Sequence, residues 1–297
     1  MMFDLMKYAA LTGAVICAPF GAAFAQTGDA CLSPVSMRDG DVRRNAAVFG
    51  ADSGLCLSEL QFEENGLNWT LTIIDNTRHP KGPTIYLPHD NEDSAFDSAL
   101  YGVRKYGGKM VAVEAGDNRE FNGQDPNRNF GETAKSTAPC NDMRRKPAPL
   151  FTQFMLDLRG NSPNFILTLH NNANGHAGNG GSGGISVERS SAIMKGLKAP
   201  NGGDEDDAIL LAGTQPFEKD KQAQRATAQF HKAGINVIYE HVRPERNDCS
   251  FSNYVVLNKI APYYNIEAQH GHTAQQKAML DVFMKFHRIK AQNKSVQ

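Results

Sequence analysis

The hydrophobic and polar positions of this chain follow two periods in alternation. Short runs rich in branched and aromatic residues predict strands over 69–74, 84–87, 110–114, 165–170, 235–239 and 264–269. Longer stretches with apolar residues three and four apart predict helices over 93–106, 150–158, 220–232 and 274–291. In the last of these, Met279, Val282, Phe283 and Phe286 make one apolar stripe, the mark of a helix laid on a core. Gly107, Gly160 and Gly234 stand just past three of the helices, where a left-handed residue closes the final turn. Strands separated by helices predict an α/β fold: a single domain with a mixed, mostly parallel central sheet flanked by helices. In such sheets functional groups collect at the carboxyl ends of the strands.

Composition narrows the class. The 297 residues are 40% hydrophobic, with 31 Lys+Arg against 32 Asp+Glu. That is apolar enough for a real core and too weakly charged for general disorder. The near-zero net charge argues against a nucleic-acid partner or a polybasic membrane surface. A mean hydropathy of −0.45 excludes a multi-span membrane protein. Residues 8–25 are apolar and end in Ala23-Phe24-Ala25, the small-x-small pattern of a cleaved leader. We therefore expect a signal peptide over 1–25 and an exported chain over 26–297, periplasmic or secreted, with no stable membrane insertion once the leader is removed. The exported part keeps Cys31, Cys56, Cys140 and Cys249, an even number that suggests two disulfides in any of three pairings. Residues 171–184, with six Gly and four Asn, predict a surface loop. They lack the Gly-Lys-Ser/Thr of a phosphate-binding P-loop.

Four segments carry chemistry. His89 and Glu92 share one tight turn at a strand end, and imidazole and carboxylate are both zinc ligands. The blander alternative is an acid facing the dipole of the helix that follows. His170 closes an apolar strand, and with His89 and Glu92 it completes a two-histidine, one-carboxylate set. Such a set leaves a fourth position open, as a catalytic zinc requires. Arg119 and Arg128, the second flanked by Asn127 and Asn129, are natural forks for a carboxylate, although taken alone they fit a solvated loop. Glu267 lies in the apolar middle of a strand, where a carboxylate is costly unless paired or used. It suits a general base and acid, or else faces solvent from a sheet edge. Glu240, His241 and Glu245 offer donors for a second metal, and His270 and His272 either line the cleft or stand exposed at a strand end.

The order of these segments resembles the carboxypeptidase A-like zinc metallopeptidases and their deacylase relatives of the succinylglutamate desuccinylase and aspartoacylase type. That superfamily carries H-x-x-E, an arginine, D-x-N-R-N-[F/W], a strand-end His and a Glu on a late strand. Asp125-Pro126-Asn127-Arg128-Asn129-Phe130 matches the third pattern at every fixed position, and the resemblance runs from His89 to Glu267. It implies one zinc ion held by His89, Glu92 and His170, with Asp125 orienting His89. It also implies catalytic roles for Arg119, which would polarise the scissile carbonyl, and Glu267, which would activate water. Asn127 and Arg128 would hold the substrate carboxylate, and Tyr254 would close over the substrate. Thirty residues follow Glu267, which fits the carboxypeptidase arrangement better than deacylases with an added β domain; Asn171 after His170 matches the deacylases instead.

The implied activity is removal of a C-terminal residue from short peptides, with peptidoglycan stem peptides the substrates that export would offer. Release of the acyl group from an N-acyl amino acid is the alternative. A zinc-holding, catalytically silent peptide-binding module is a second alternative, disfavoured because binding alone needs neither Arg119 nor Glu267.

Overall fold

The computed structural model describes residues 25–26, 31–131, 148–160, 162–173, 187–190, 207–293 and 295–296. The expected leader, but for Ala25, lies outside the described residues, as do Cys140 and the expected loop from 174 to 184. The chain begins with β1 (Ala25–Gln26), α1 (Gly40–Arg44), β2 (Leu55–Glu64) and β3 (Leu67–Asn76). It continues through β4 (Thr84–Leu87), α2 (Asp93–Tyr106), β5 (Lys109–Glu114), α3 (Pro149–Asp157) and β6 (Ile166–Asn172). Then come β7 (Val187–Ser190), β8 (Ala208–Gly213), α4 (Lys221–Lys232), β9 (Asn236–His241), α5 (Phe251–Leu257), β10 (Tyr263–Gln269) and α6 (Thr273–Phe286).

The strands form one mixed sheet in the order β1-β2-β3-β5-β4-β6-β10-β8-β9-β7. Its centre, β5-β4-β6-β10, is parallel. β8 and β9 run parallel to each other but against β10. The β1-β2-β3 flank and the outer β7 are antiparallel. This is the expected α/β class with helices packed on a mixed sheet.

The central strands read as unbroken apolar runs because both faces of the sheet are buried. On β5, Met110 and Ala112 join a core shared with α2, α4 and α6, while Val111 and Val113 point to the opposite core under α3 and α5. The same alternation governs β6 and β10. Leu167, Leu169, Tyr264, Ile266 and Ala268 enter the first core. Thr168, His170, Asn265 and Glu267 therefore face the α3 and α5 side. Polar side chains on one face of two buried central strands mark where the sheet stops being scaffold.

Six elements were not expected, β1, α1, β2, β7, β8 and α5, and the reason is plain for three of them. β2 was not expected, yet Asn65 (φ 57°) and Gly66 (φ 81°) form a two-residue turn that folds it back on β3. β8 is a short apolar run that periodicity alone cannot assign. α5 starts at a serine cap, with Ser250 Oγ accepting from the Asn253 amide. Gly107 does cap α2 as expected, at φ 81°, and a Cβ there would lie 2.3 Å from the His79 carbonyl oxygen.

Cys31 and Cys56 form a disulfide, and Cys249 is also disulfide-bonded. No helix among the described residues is long and apolar enough to cross a membrane.

Candidate metal centre and substrate cavity

The site forms where the parallel strands end. His89 lies two residues past β4, and His170 near the end of β6. Register pairs His170 with Glu267 of β10, so two neighbouring strands deliver an imidazole and a carboxylate side by side on the same face. Glu92 stands at the N-cap position of α2 but makes no capping bond. Its carboxylate turns to the histidines instead, which sets aside the reading of it as a helix-dipole acid.

His89, Glu92 and His170 are buried, at 4%, 3% and 4% exposure. His89 Nδ1 lies 2.8 Å from Glu92 Oε1 and 3.1 Å from His170 Nδ1, and His170 Nδ1 lies 3.1 Å from Glu92 Oε2. Four tetrahedral ligands at zinc distances would sit about 3.3 Å apart. These three donors, two imidazole nitrogens and a carboxylate oxygen, are converged to nearly that spacing, and their chemistry suits zinc. Two imidazole nitrogens facing each other in a buried place share at most one proton, a further sign that the arrangement fits a cation. On its far side, His89 Nε2 lies 2.9 Å from Asp125 Oδ1. That carboxylate fixes the ring and aims Nδ1 at the cluster.

Electrostatics follow from the geometry. Burial alone would lower the His89 imidazole, but the Glu92 and Asp125 carboxylates outweigh it and push it up to about 9. Burial would raise Glu92, yet the two imidazoles hold it well below the usual carboxylate range. Asp125 is held low in the same way, by His89 and the guanidinium groups of Arg119 and Arg128. Replacing Asp125 with Asn is expected to weaken zinc binding by about 10- to 100-fold. Competition titration against a chromophoric chelator measures it, and an unchanged affinity would show that Asp125 does not support the metal.

Seven of the eight anticipated site residues line one cavity of about 400 Å³: His89, Glu92, His170, Arg119, Asn127, Arg128 and Glu267. Arg119 is half exposed and leans on Glu92 Oε1 at 3.3 Å. Asp125 also accepts from the Asn127 amide at 2.8 Å, which shapes the turn Pro126–Arg128. Asp248 holds Arg128 Nε at 3.2 Å. Phe130 pins this loop, buried and stacked on Phe251 at 4.2 Å. Asn265 Nδ2 donates to Glu267 Oε1 at 2.9 Å.

Tyr254 is the exception. It is 4% exposed on α5, in the core with Phe130 and Phe251, and does not line the cavity. The reading of it as a residue that closes over substrate is corrected: the apolar face of α5 carries it inward.

The supporting roles of several residues escaped the sequence reading. Asn171 accepts from the Ala95 amide at 2.9 Å and donates to the carbonyls of His170 and Ala268. The asparagine after His170 is thus a brace between β6, β10 and the start of α2. Gln276, fully buried on α6, donates to the carbonyls of His170 and Ile266 at 2.9 and 3.0 Å. Asp90 accepts from the amides of Ala115 and Asp117, tying the His89 turn to the loop that carries Arg119. Polar residues on an otherwise apolar helix or strand end were the available signal. A second carboxylate group, Asp39, Asp41 and Asp90, is also close enough to hold a cation. Each has a structural partner, however, with Asp39 capping α1 and Asp41 paired with Arg44. Glu240, His241 and Glu245 form no such group among the described residues.

No family model matches this sequence, and no curated protein does. Among solved structures, the chain is similar to a variant of the cell shape determinant protein Csd4 from Helicobacter pylori. The two are 13% identical with a TM-score of 0.42, over 74% of this chain and 54% of that one. It is similar to the LapA aminopeptidase of Legionella pneumophila at 9% identity and a TM-score of 0.40, over 85% of this chain and 64% of that one. A metallo-carboxypeptidase from Burkholderia cenocepacia is 13% identical with a TM-score of 0.36, over 82% of this chain and 68% of that one.

Proposed function

We propose that this chain is an exported zinc-dependent hydrolase of the carboxypeptidase A-like superfamily, removing the C-terminal residue of short peptides. The observation that supports this reading is the convergence in one cavity of the His89, Glu92 and His170 cluster, Glu267 beside it, and two arginines. Zinc held by that cluster would supply Lewis acidity and a coordinated water of lowered pKa.

The remaining work falls to the chain. Arg128 and Asn127 would bind the terminal carboxylate and set which peptide bond lies at the cluster. Arg119 would balance the negative charge that grows on the carbonyl oxygen as the bond is attacked. Glu267 would accept the proton of the attacking water and return it to the nitrogen of the departing residue. Leader cleavage, a periplasmic or secreted location and peptidoglycan stem peptides as substrates belong to the same proposal, which the Cys31–Cys56 disulfide supports.

Mass spectrometry of products tests it. The zinc-loaded protein is incubated with stem peptides, other short peptides and N-acyl amino acids. Loss of a single C-terminal residue, abolished by a chelator, is the expected result. Release of an acyl group would move the chain to the deacylases. Stoichiometric zinc without turnover of any substrate would favour a binding module.

A further inference from the structure

The α2 side of the sheet carries an acidic group that the proposed hydrolysis does not use. Asp39 caps α1, Asp41 lies in its first turn, and Asp90 stands between His89 and Glu92 on the turn after β4. They are 1%, 6% and 9% exposed, and one oxygen from each lies within 4.8 Å of the other two. Oxygens bound to one calcium ion at about 2.3–2.6 Å stand at most about 5 Å apart. None of the three acids lines the cavity of the zinc cluster.

Their structural bonds leave donors over. The Val42 amide engages Asp39 Oδ1, Arg44 engages Asp41 Oδ1, and the amides of Ala115 and Asp117 engage Asp90 Oδ2. Each partner takes one oxygen of a carboxylate that has two. Asp39 Oδ2 is buried with no hydrogen-bond partner among the described residues. An independent sign comes from β3. Thr72, a neutral residue 1% exposed, is paired with Ala112 of the α2-side core and so faces that side. Its Oγ1 is near enough to the Asp39 carboxylate to draw its pKa down, yet reaches hydrogen-bonding geometry with no described group. A buried hydroxyl and a buried carboxylate oxygen left unpaired side by side are each costly, and a cation that both can ligate removes the cost.

Charge points the same way. Arg44 is shared with Asp93 and Asp97, and Arg43 turns its guanidinium to the carbonyls of Met37 and Arg38. Glu114, at the end of β5, adds a fourth carboxyl, whose Oε2 also lacks a partner among the described residues. Burial, then repulsion among the acids, pushes Asp41 up to about 8 and Glu114 up to about 7. A doubly charged ion would answer that excess, and donors that are all oxygen suit calcium rather than zinc.

We propose that Asp39, Asp41, Asp90 and Thr72 form a calcium site separate from the zinc cluster. The ion joins α1 and β3 to the turn that carries His89 and Glu92, and so holds that turn against the sheet. The site does not depend on the hydrolase reading.

Calorimetry with calcium chloride on the zinc-loaded protein tests it, with Asp39→Asn and Asp41→Asn alongside. Asparagine at 39 can still accept the Val42 amide and keep the cap of α1. The expected result is one calcium per chain with a Kd between about 10⁻⁵ and 10⁻³ M, weakened at least about tenfold in each variant. Calcium at about 100 times its Kd should raise the wild-type melting temperature by about 5–10 °C, and that of either variant by less. His170→Ala, which breaks the zinc cluster, should still bind calcium with no zinc added. Neither binding nor a melting shift in the wild-type protein would overturn the site whether or not a variant folds. Affinity unchanged in a folded Asp39→Asn, or lost in a folded His170→Ala, would place the ion elsewhere and overturn it too. Magnesium bound more tightly than calcium would overturn the choice of ion.

Discussion

Replacing Glu267 with glutamine is expected to lower kcat by roughly 10²- to 10⁴-fold, with zinc content unchanged. Glutamine keeps the shape of the side chain and an oxygen that can accept the 2.9 Å bond from Asn265. It cannot take a proton from water or pass one to a leaving nitrogen. The residue lies in register with His170 in a parallel ladder, and the neighbouring Ile266 carbonyl is held by Gln276. The exchange therefore leaves backbone and cluster in place, and the loss falls on the chemical step rather than on binding. KM should move by far less than kcat. Steady-state kinetics with metal analysis on the same preparation decide the matter. A variant retaining most of its turnover would remove Glu267 from the mechanism, whereas loss of zinc would recast it as a support of the metal site.

The sheet was legible where its strands are buried on both faces, as in β4, β5, β6 and β10, whose apolar positions mark them as strands. It was less legible at the flanks. β2 mixes glutamates and a glutamine into its run, and its clearest signal was the Asn65-Gly66 turn rather than its hydrophobicity. The clustering of His89, Glu92 and His170 was legible because each sits at a strand end or on the turn after one, where topology brings distant segments together. Tyr254 was misread because sequence gives its distance from Glu267 but not the face of α5 that carries it. Glu240 and His241 looked like a pair of metal ligands, yet neighbours on a strand point to opposite faces, and they form no such group among the described residues. Asn171 and Gln276 show a further limit: their partners are backbone carbonyls of other strands, which no side-chain pattern announces.

Zinc affinity should rise about tenfold per pH unit from pH 6 and level off near pH 9, roughly a thousandfold in all. The cause is His89. In the metal-free protein its imidazole is pushed up to about 9, because Glu92 and Asp125 outweigh the effect of burial. Below that pH the ring carries a proton on each nitrogen, and Nδ1 must lose its own before it can act as a donor. The sign follows. Protons and zinc compete for Nδ1, so one proton leaves per zinc bound at pH 7, and almost none above pH 9. Stability of the metal-free protein runs the opposite way. The raised imidazole contributes fully below its unfolded value of about 6.5, and that contribution fades as pH climbs through 9. The melting temperature gained on adding zinc should therefore widen between pH 6 and 9, from a falling metal-free baseline and tighter binding together. Calorimetric titration in buffers of different ionisation enthalpy counts the released proton directly. In Asp125→Asn the plateau should come at lower pH, because one of the two carboxylates that raise His89 is gone. Zinc binding independent of pH across this range would mean that His89 is already neutral and that its two acidic neighbours do not act on it as argued.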